Sequence, residues 1–412
     1  MSIIFMADIR FYRMIYKTIF LHSDYLSNIA AIFGSQMILR DHPLLLALLI
    51  VFGLSFLVQV YYYLFYYLAP AMFRHPDSSP KKEPVSVIIC ARNEEENLRK
   101  FLPAVLEQDY PDFEVVVVND CSEDDSYDVL GEYLKKYPNL KVSNIIKDSK
   151  FTHNKKFAQF IGIKAAKNEI LVFTDADCRP ESNKWLGIIA SRFDEKIDFV
   201  LGYGGYFSEK GLLNRYIRYD TITIAMQYLG MAIRGMPYMG VGRNLAYRRS
   251  LFFNNKGFGN YTHLASGDDD LFVNANASGT NIAVEFRKEA HTRSVAASGI
   301  YELYKQKKRH LTTANHYKLR DKVALMIEPV SRVLFYVLFV ILLSNLFLWP
   351  LVLGVFLARS ITQLTVFTLN QKKFNEQGLL PWLPIFDILS PFINAVLYTG
   401  TLREGTGKNI WK

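Results

Sequence analysis

At 412 residues, half of them hydrophobic, the chain can bury a full α/β domain with length to spare. Its mean hydropathy of +0.07 is too high for an ordinary soluble enzyme and too low for a many-span transporter. A net charge of +9 suits nucleic acid, an anionic membrane face or a polyphosphate ligand. The apolar residues crowd both ends, so the membrane is favoured and no nucleic-acid partner is expected. Cys90, Cys121 and Cys178 show no metal-ligand spacing and read as reduced thiols of a cytoplasmic domain.

Residues 1–43 form an N-terminal extension. Within it IRFYRMIYKTIF interleaves aromatic and basic residues at helical spacing, giving either an interfacial amphipathic helix or a loosely ordered arm. Residues 44–68 carry no charge and predict a transmembrane helix roughly 37 Å long, with its tyrosines at one interface. The run is too long and too late to be a cleaved signal peptide.

Short apolar strands then alternate with helical patterns. VSVIIC, FEVVVVND, KVSNII and ILVFTDADC predict four strands, separated by EENLRKFLPAVLEQ, DDSYDVLGEYLKKY and NKKFAQFIGIKAAK as helices. That rhythm predicts a parallel sheet covered by helices on both faces, with ligands beyond the carboxyl ends of the strands. The polar residues there are Arg92, Asn93 and Glu94, then Asp120, then Asp175 and Asp177.

Asp175 and Asp177 end an apolar strand two residues apart, so both carboxylates would face one side and meet one hard divalent cation. Such a cation would neutralise a departing diphosphate. Asp120 could accept from a base N–H or a ribose hydroxyl. Lys155 and Lys156 open the third helix, where an ammonium can reach a phosphate.

Taken together, PVSVIICARNEEENL, VVVVNDCSEDDS and NKKFAQFIGIKAAKNEILVFTDADC resemble the family 2 glycosyltransferases, membrane-anchored enzymes with the GT-A fold. The resemblance implies a GT-A, Rossmann-like α/β catalytic domain over residues 84–320 with flanking transmembrane helices. It places Ala91, Arg92, Glu94 and Asp120 on the nucleotide. Lys155, with Asn154 where glycine is usual, falls near the diphosphate, and Mg²⁺ or Mn²⁺ falls on Asp175 and Asp177. GVGRNLAYRRS is similar to the family's acceptor-side G-x-N-x-x-x-R element and implies Gly242, Asn244 and Arg248. SGDDDLF stands where the family carries its acidic pair, so the general base is Asp268, Asp269 or Asp270. YKQKKRHLTT is similar to Q-x-x-R-W, with Gln306 and Arg309 in place and His310 where tryptophan is usual.

Apolar residues return over 333–369, interrupted by Asn345 and Pro350 and carrying Arg359; this length suits a helical hairpin. Arg359 must snorkel, meet a partner or line a polar cavity. Residues 379–399 contain Pro381, Pro384, Asp387, Pro391 and Asn394 and either span or form a re-entrant element. The C-terminal region, 330–402, thus holds two or three segments before a tail at 403–412.

The expected protein is a membrane-bound inverting glycosyltransferase. It would move sugar from a nucleotide-sugar, UDP-linked, to a lipid or lipid-linked acceptor at the cytoplasmic face of a bacterial-type inner membrane. Few spans and the His310 replacement weigh against a processive polysaccharide synthase. The intact motifs weigh against a catalytically silent envelope scaffold.

Overall fold

The computed structural model describes residues 42–76, 83–146, 154–262, 264 and 266–403. The stretch 9–20 and the tail beyond 403 lie outside the described residues. The first apolar run is helical from Pro43 to Tyr61 (α1), passes through a π turn at Tyr62–Tyr67, and ends as α2, Leu68–Met72.

The strands follow where β-branched residues are densest. They are β1 (Val85–Ala91), β2 (Phe113–Asp120), β3 (Leu140–Ile145) and β4 (Ile170–Phe173), all mutually parallel. Between them run α3 (Glu95–Leu106), α4 (Ser126–Lys136) and α5 (Lys155–Ala165). Then come β5 (Cys178–Pro180), α6 (Trp185–Ala190), β6 (Phe199–Gly202), β7 (Gly204–Tyr206) and the long α7 (Leu212–Ile233). After these follow β8 (Leu245–Arg248), α8 (Arg249–Asn254), α9 (Asp270–Asn276), β9 (Ile282–Glu285) and β10 (Thr292–Ser294). Four helices close the chain: α10 (Ile300–Ala314), α11 (Leu319–Ser344), α12 (Trp349–Lys373) and α13 (Leu383–Arg403).

The main sheet runs β3-β2-β1-β4-β8-β6-β9, and a small sheet runs β5-β10-β7. Strand alternation divides the core. Val85, Val87 and Ile89 pack with Leu98, Leu102, Val129 and Trp185 on one face, while Ile88 joins Ile163 and the aromatic cluster on the other.

Two expectations need correction. The sheet is mixed, because β8 lies antiparallel to both β4 and β6; alternation reveals which face a residue takes, not which way its strand runs. The fourth strand also stops at Phe173. Asp175 and Asp177 sit in a turn closed by the Cys178 N–H donating to the Asp175 carbonyl at 3.1 Å. Their convergence is thus a property of the turn and not of a strand's pleat.

The chain divides into two compact units. One comprises Met1–Phe56 with Leu334–Phe356. Its described core is Phe52, Phe335, Leu338, Leu342, Phe347 and Val352, with Phe52 stacked on Phe335 at 4.7 Å. The other comprises Leu57–Val333 with Leu357–Lys412 and contains every strand among the described residues.

Among the described residues three helical stretches are long and apolar enough to cross a membrane: Pro43–Met72, Leu319–Ser344 and Trp349–Lys373. The last two follow one another in the chain, the first starting at Leu319, earlier than the apolar run beginning at 333, and Pro350 is tolerated in the first turn of α12. Arg359 meets a partner. It pairs with Asp387 of α13 at 2.8 Å and donates to Gln59 and Gln363, each at 3.0 Å. Arg332 joins the same buried group through Glu328 at 2.5 Å and Asp387 at 3.2 Å.

Candidate active site

The carboxyl ends of β1 and β2 carry the first group of expected residues. Ala91 and Asp120 are buried strand ends, and Arg92 keeps a buried Nε that has no hydrogen-bond partner among the described residues. Asn93 adopts φ +53°, a conformation asparagine tolerates. It donates its N–H to Ser122 and accepts from the Glu123 N–H, so the loops after β1 and β2 are stitched together. Glu94 stands at the residue before α3, its N–H donating to Ser126 and its carboxylate accepting from Asn97.

Asn154 caps α5, its side chain accepting from the Phe157 N–H at 2.9 Å. This fixes Lys155, whose ammonium lies 2.6 Å from Asp175 and 3.7 Å from Asp268. One cation thus joins acids that lie far apart in the chain. Burial opposes the lysine's charge, but Asp175, Asp268 and Asp269 outweigh it and hold Lys155 protonated. Burial likewise works against ionised Asp175, yet Lys155, Arg243 and Arg309 keep its carboxyl below the usual range. Lys156 turns inward and donates to the carbonyls of Tyr261 and Ser266. Burial brings its pKa down to about 8.

Asp177 accepts from Ser294 of β10 at 2.9 Å. Ligand atoms of Asp175, Asp177 and Cys178 lie within 4.8 Å of one another. The two carboxylates suit Mg²⁺ or Mn²⁺. Cys178 does not: burial, then Asp177 and Asp175, push its thiol well up, and these ions prefer oxygen.

The three consecutive aspartates have three environments. Asp268 is buried and faces Lys155; burial raises its carboxyl and Lys155 pulls it back. Asp269 is half-buried. Its Oδ2 accepts from the Gly242 N–H at 2.7 Å and its Oδ1 from the Asp270 N–H at 2.8 Å. A Cβ at Gly242 would lie 3.3 Å from Asp269 Oδ2, so glycine permits this close approach. Asp270 is buried and accepts from Thr313 and from Tyr317, the latter at 2.7 Å. Burial, aided by Asp269, pushes its pKa up to about 7.

Asn244 and Arg248 are spent on the scaffold. The Asn244 amide accepts from Trp185 and donates to the Tyr203 and Ala290 carbonyls. Arg248 pairs in register with Ile170, at the opposite end of β4 from Asp175, and donates to the Ile197 and Asp194 carbonyls. The structure therefore brings Gly242, but not Arg248, to the acids.

Helix α10 closes one side. Lys307 anchors it to Asp220 of α7 at 2.6 Å and to Asn394 of α13 at 3.1 Å. Gln306 donates to the Tyr206 hydroxyl at 3.0 Å. Arg309 reaches Asp175 electrostatically, and the His310 side chain is exposed. Sequence reasoning missed Arg243, which lies at an unspecified position of the G-x-N element and places its guanidinium carbon 4.3 Å from the Tyr206 ring centroid.

Residues 86–253 match the family model described as Glycosyl transferase family 2. "Probable glycosyltransferase YdaM" of Bacillus subtilis is 31% identical over 172 residues, 40% of this chain and 41% of that protein. Glycosyltransferase AglE of Haloferax volcanii is 32% identical over 149 residues, 34% of this chain and 45% of that one. The chain thus spans less than half the length of these relatives. Among solved structures, the mannosyltransferase PcManGT from Pyrobaculum calidifontis, in complex with GDP-Man and Mn²⁺, superposes with a TM-score of 0.56 at 18% identity. The match covers 88% of this chain and 100% of that one. The strand-rich region of this protein therefore has the GT-A, Rossmann-like fold of the family 2 glycosyltransferases, flanked in sequence by long apolar helices.

Proposed function

We propose that the protein is a membrane-bound, metal-dependent inverting glycosyltransferase that transfers sugar from a nucleoside diphosphate sugar to a lipid or lipid-linked acceptor. The carrying observation is the convergence of Asp175 in the β4 turn and Asp268 just before α9 on Lys155, in a GT-A fold. The relatives' names and the GDP-Man and Mn²⁺ bound to PcManGT support a nucleotide-sugar donor and a divalent cation. A Mg²⁺ or Mn²⁺ held by Asp175 and Asp177 would neutralise negative charge on the donor diphosphate. Ala91, Arg92, Glu94 and Asp120 bind the nucleoside, and Lys155 and Arg309 the phosphates. Gln306 and His310 line the same donor side on α10.

Asp269 is the general base. Asp268 is engaged with Lys155 and Asp270 with Thr313 and Tyr317, whereas Asp269 is half-buried and oriented by two backbone N–H groups. An acceptor hydroxyl gives its proton to an Asp269 oxygen as its own oxygen bonds to the anomeric carbon. The anomeric carbon–oxygen bond breaks on the opposite face, and its electrons leave with the diphosphate. Basic stretches such as 305–309 beside apolar helices support a cytoplasmic catalytic face, where an acceptor enters from the bilayer.

The test is a thermal-shift and transfer screen of the detergent-purified protein against UDP- and GDP-sugars with Mg²⁺ or Mn²⁺. One nucleotide-sugar should stabilise the protein only with the cation and donate a single sugar to a lipid-phosphate acceptor. No cation-dependent shift with any donor would remove the proposal. A ladder of products would turn it into a processive synthase.

A further inference from the structure

Arg243 is held as if for a ligand, and the described residues supply no acceptor for one of its buried donors. The residues on either side of it fix the turn, Gly242 by its N–H to Asp269 and Asn244 by its amide bonds to two carbonyls. The Arg243 carbonyl accepts from Thr292 at 2.9 Å. Its side chain crosses β7 beside Gly204, where an added Cβ would lie 3.0 Å from the Arg243 Cβ. It ends over the Tyr206 ring, whose hydroxyl takes the Gln306 amide. Tyr206 is thus a platform shared by the turn before β8 and by helix α10.

Among the described residues, Arg243 Nη1 is buried without a hydrogen-bond partner, and so is Arg309 Nε. Unpartnered buried donors are uncommon in folded proteins, and here both guanidinium groups act on Asp175 and on His310. Burial opposes the charge of Arg243, but Tyr206, Cys178, Asp175 and Asp177 outweigh it and keep it cationic.

We propose that Arg243 supplies a second guanidinium to a receptor for phosphate oxygens beside the β4-turn acids, adding to the phosphate role proposed for Arg309, with the Tyr206 ring fixing the Arg243 prong. A guanidinium fork matches a phosphate better than it matches a neutral sugar hydroxyl. The phosphate belongs either to the nucleoside diphosphate or to a phosphorylated lipid acceptor. The inference rests on the glycosyltransferase reading above.

The full chain in detergent is titrated with UDP or GDP in the presence of Mn²⁺, and separately with a polyprenyl monophosphate. Arg243→Gln and Arg309→Gln are each expected to weaken one of these ligands about tenfold. Weaker nucleotide binding assigns the receptor to the donor; weaker polyprenyl monophosphate binding with unchanged nucleotide affinity assigns it to the acceptor. Arg243→Lys keeps the cation on the ring and should recover part of the loss, and it serves as the probe if the glutamine variant melts early. A wild type that binds UDP or GDP while all three variants match it for both ligands overturns the receptor alone. A wild type that binds no nucleotide overturns the glycosyltransferase reading first.

Discussion

Asp175 after β4 and Asp268 just before α9 meet at Lys155, yet the two acid groups they belong to are built differently. Asp175 and Asp177 sit in a turn of backbone hydrogen bonds and take cationic or hydroxyl partners, Lys155 and Ser294. Asp268, Asp269 and Asp270 are consecutive and chemically identical, and only their tertiary partners tell them apart: an ammonium, a glycine N–H, and a hydroxyl pair on the α10 side. In the β4 turn the placing of the acids follows from local chain geometry. In the 268–270 run it follows from what the rest of the fold brings up.

The largest effect expected of breaking this contrast is at Asp269. Asp269→Asn should lower transfer by about 10²–10⁴-fold, the usual worth of a positioned general base, while cation-dependent nucleotide binding stays intact. Near-wild-type turnover would pass the role to Asp268. Next is Asp177→Ala, which removes one of the two carboxylates offered to the cation. Turnover should fall at least about 10²-fold, since a bound metal supplies several kcal/mol, and the remainder should no longer respond to added Mn²⁺. A variant that still titrates with Mn²⁺ would move the cation elsewhere.

Gly242→Ala is a milder probe, because its methyl would press on Asp269 at 3.3 Å. About a tenfold drop in kcat is expected, as misplaced catalytic groups give, with nucleotide affinity unchanged; loss of affinity alone would contradict the acceptor-side placement.

The smallest effect concerns stability. Asp270 has its folded pKa raised to about 7 from an unfolded value near 4. Its contribution is therefore fully present below about pH 4 and is lost as pH rises towards about pH 7. Asp270→Asn cannot titrate, so the Tm of the variant minus that of the wild type should climb over this window. A flat difference would mean that Asp270 is ionised in the folded protein throughout.

The strand ends that carry the proposed donor site were legible because their signals are contiguous. Four valines before Asp120 and an apolar strand before Asp175 announce strand ends where ligands gather. The reason offered for the Asp pair was nevertheless wrong, since the strand stops at Phe173 and a turn aims the carboxylates. The acid run could not be resolved, because no pattern within SGDDDLF records that Lys155, Gly242, Thr313 and Tyr317 arrive from other elements. Asn244 and Arg248 matched a motif and serve as backbone clamps. Arg243, at an unspecified position of that motif, lies over Tyr206. Strand direction was hidden too, because β8 has the same apolar character whichever way it runs.

The pairing of Arg359 with Asp387 also constrains how the protein is made. Arg332 emerges with Glu328 already one turn behind it in the same helix, whereas Arg359 leaves the ribosome before its carboxylate exists. Until α13 is translated, α12 is a poor substrate for release into lipid, so the two should leave the translocon together. A chain ending after Lys373 should leave α12 accessible to added protease, and Arg359→Leu in that truncated chain should restore its protection.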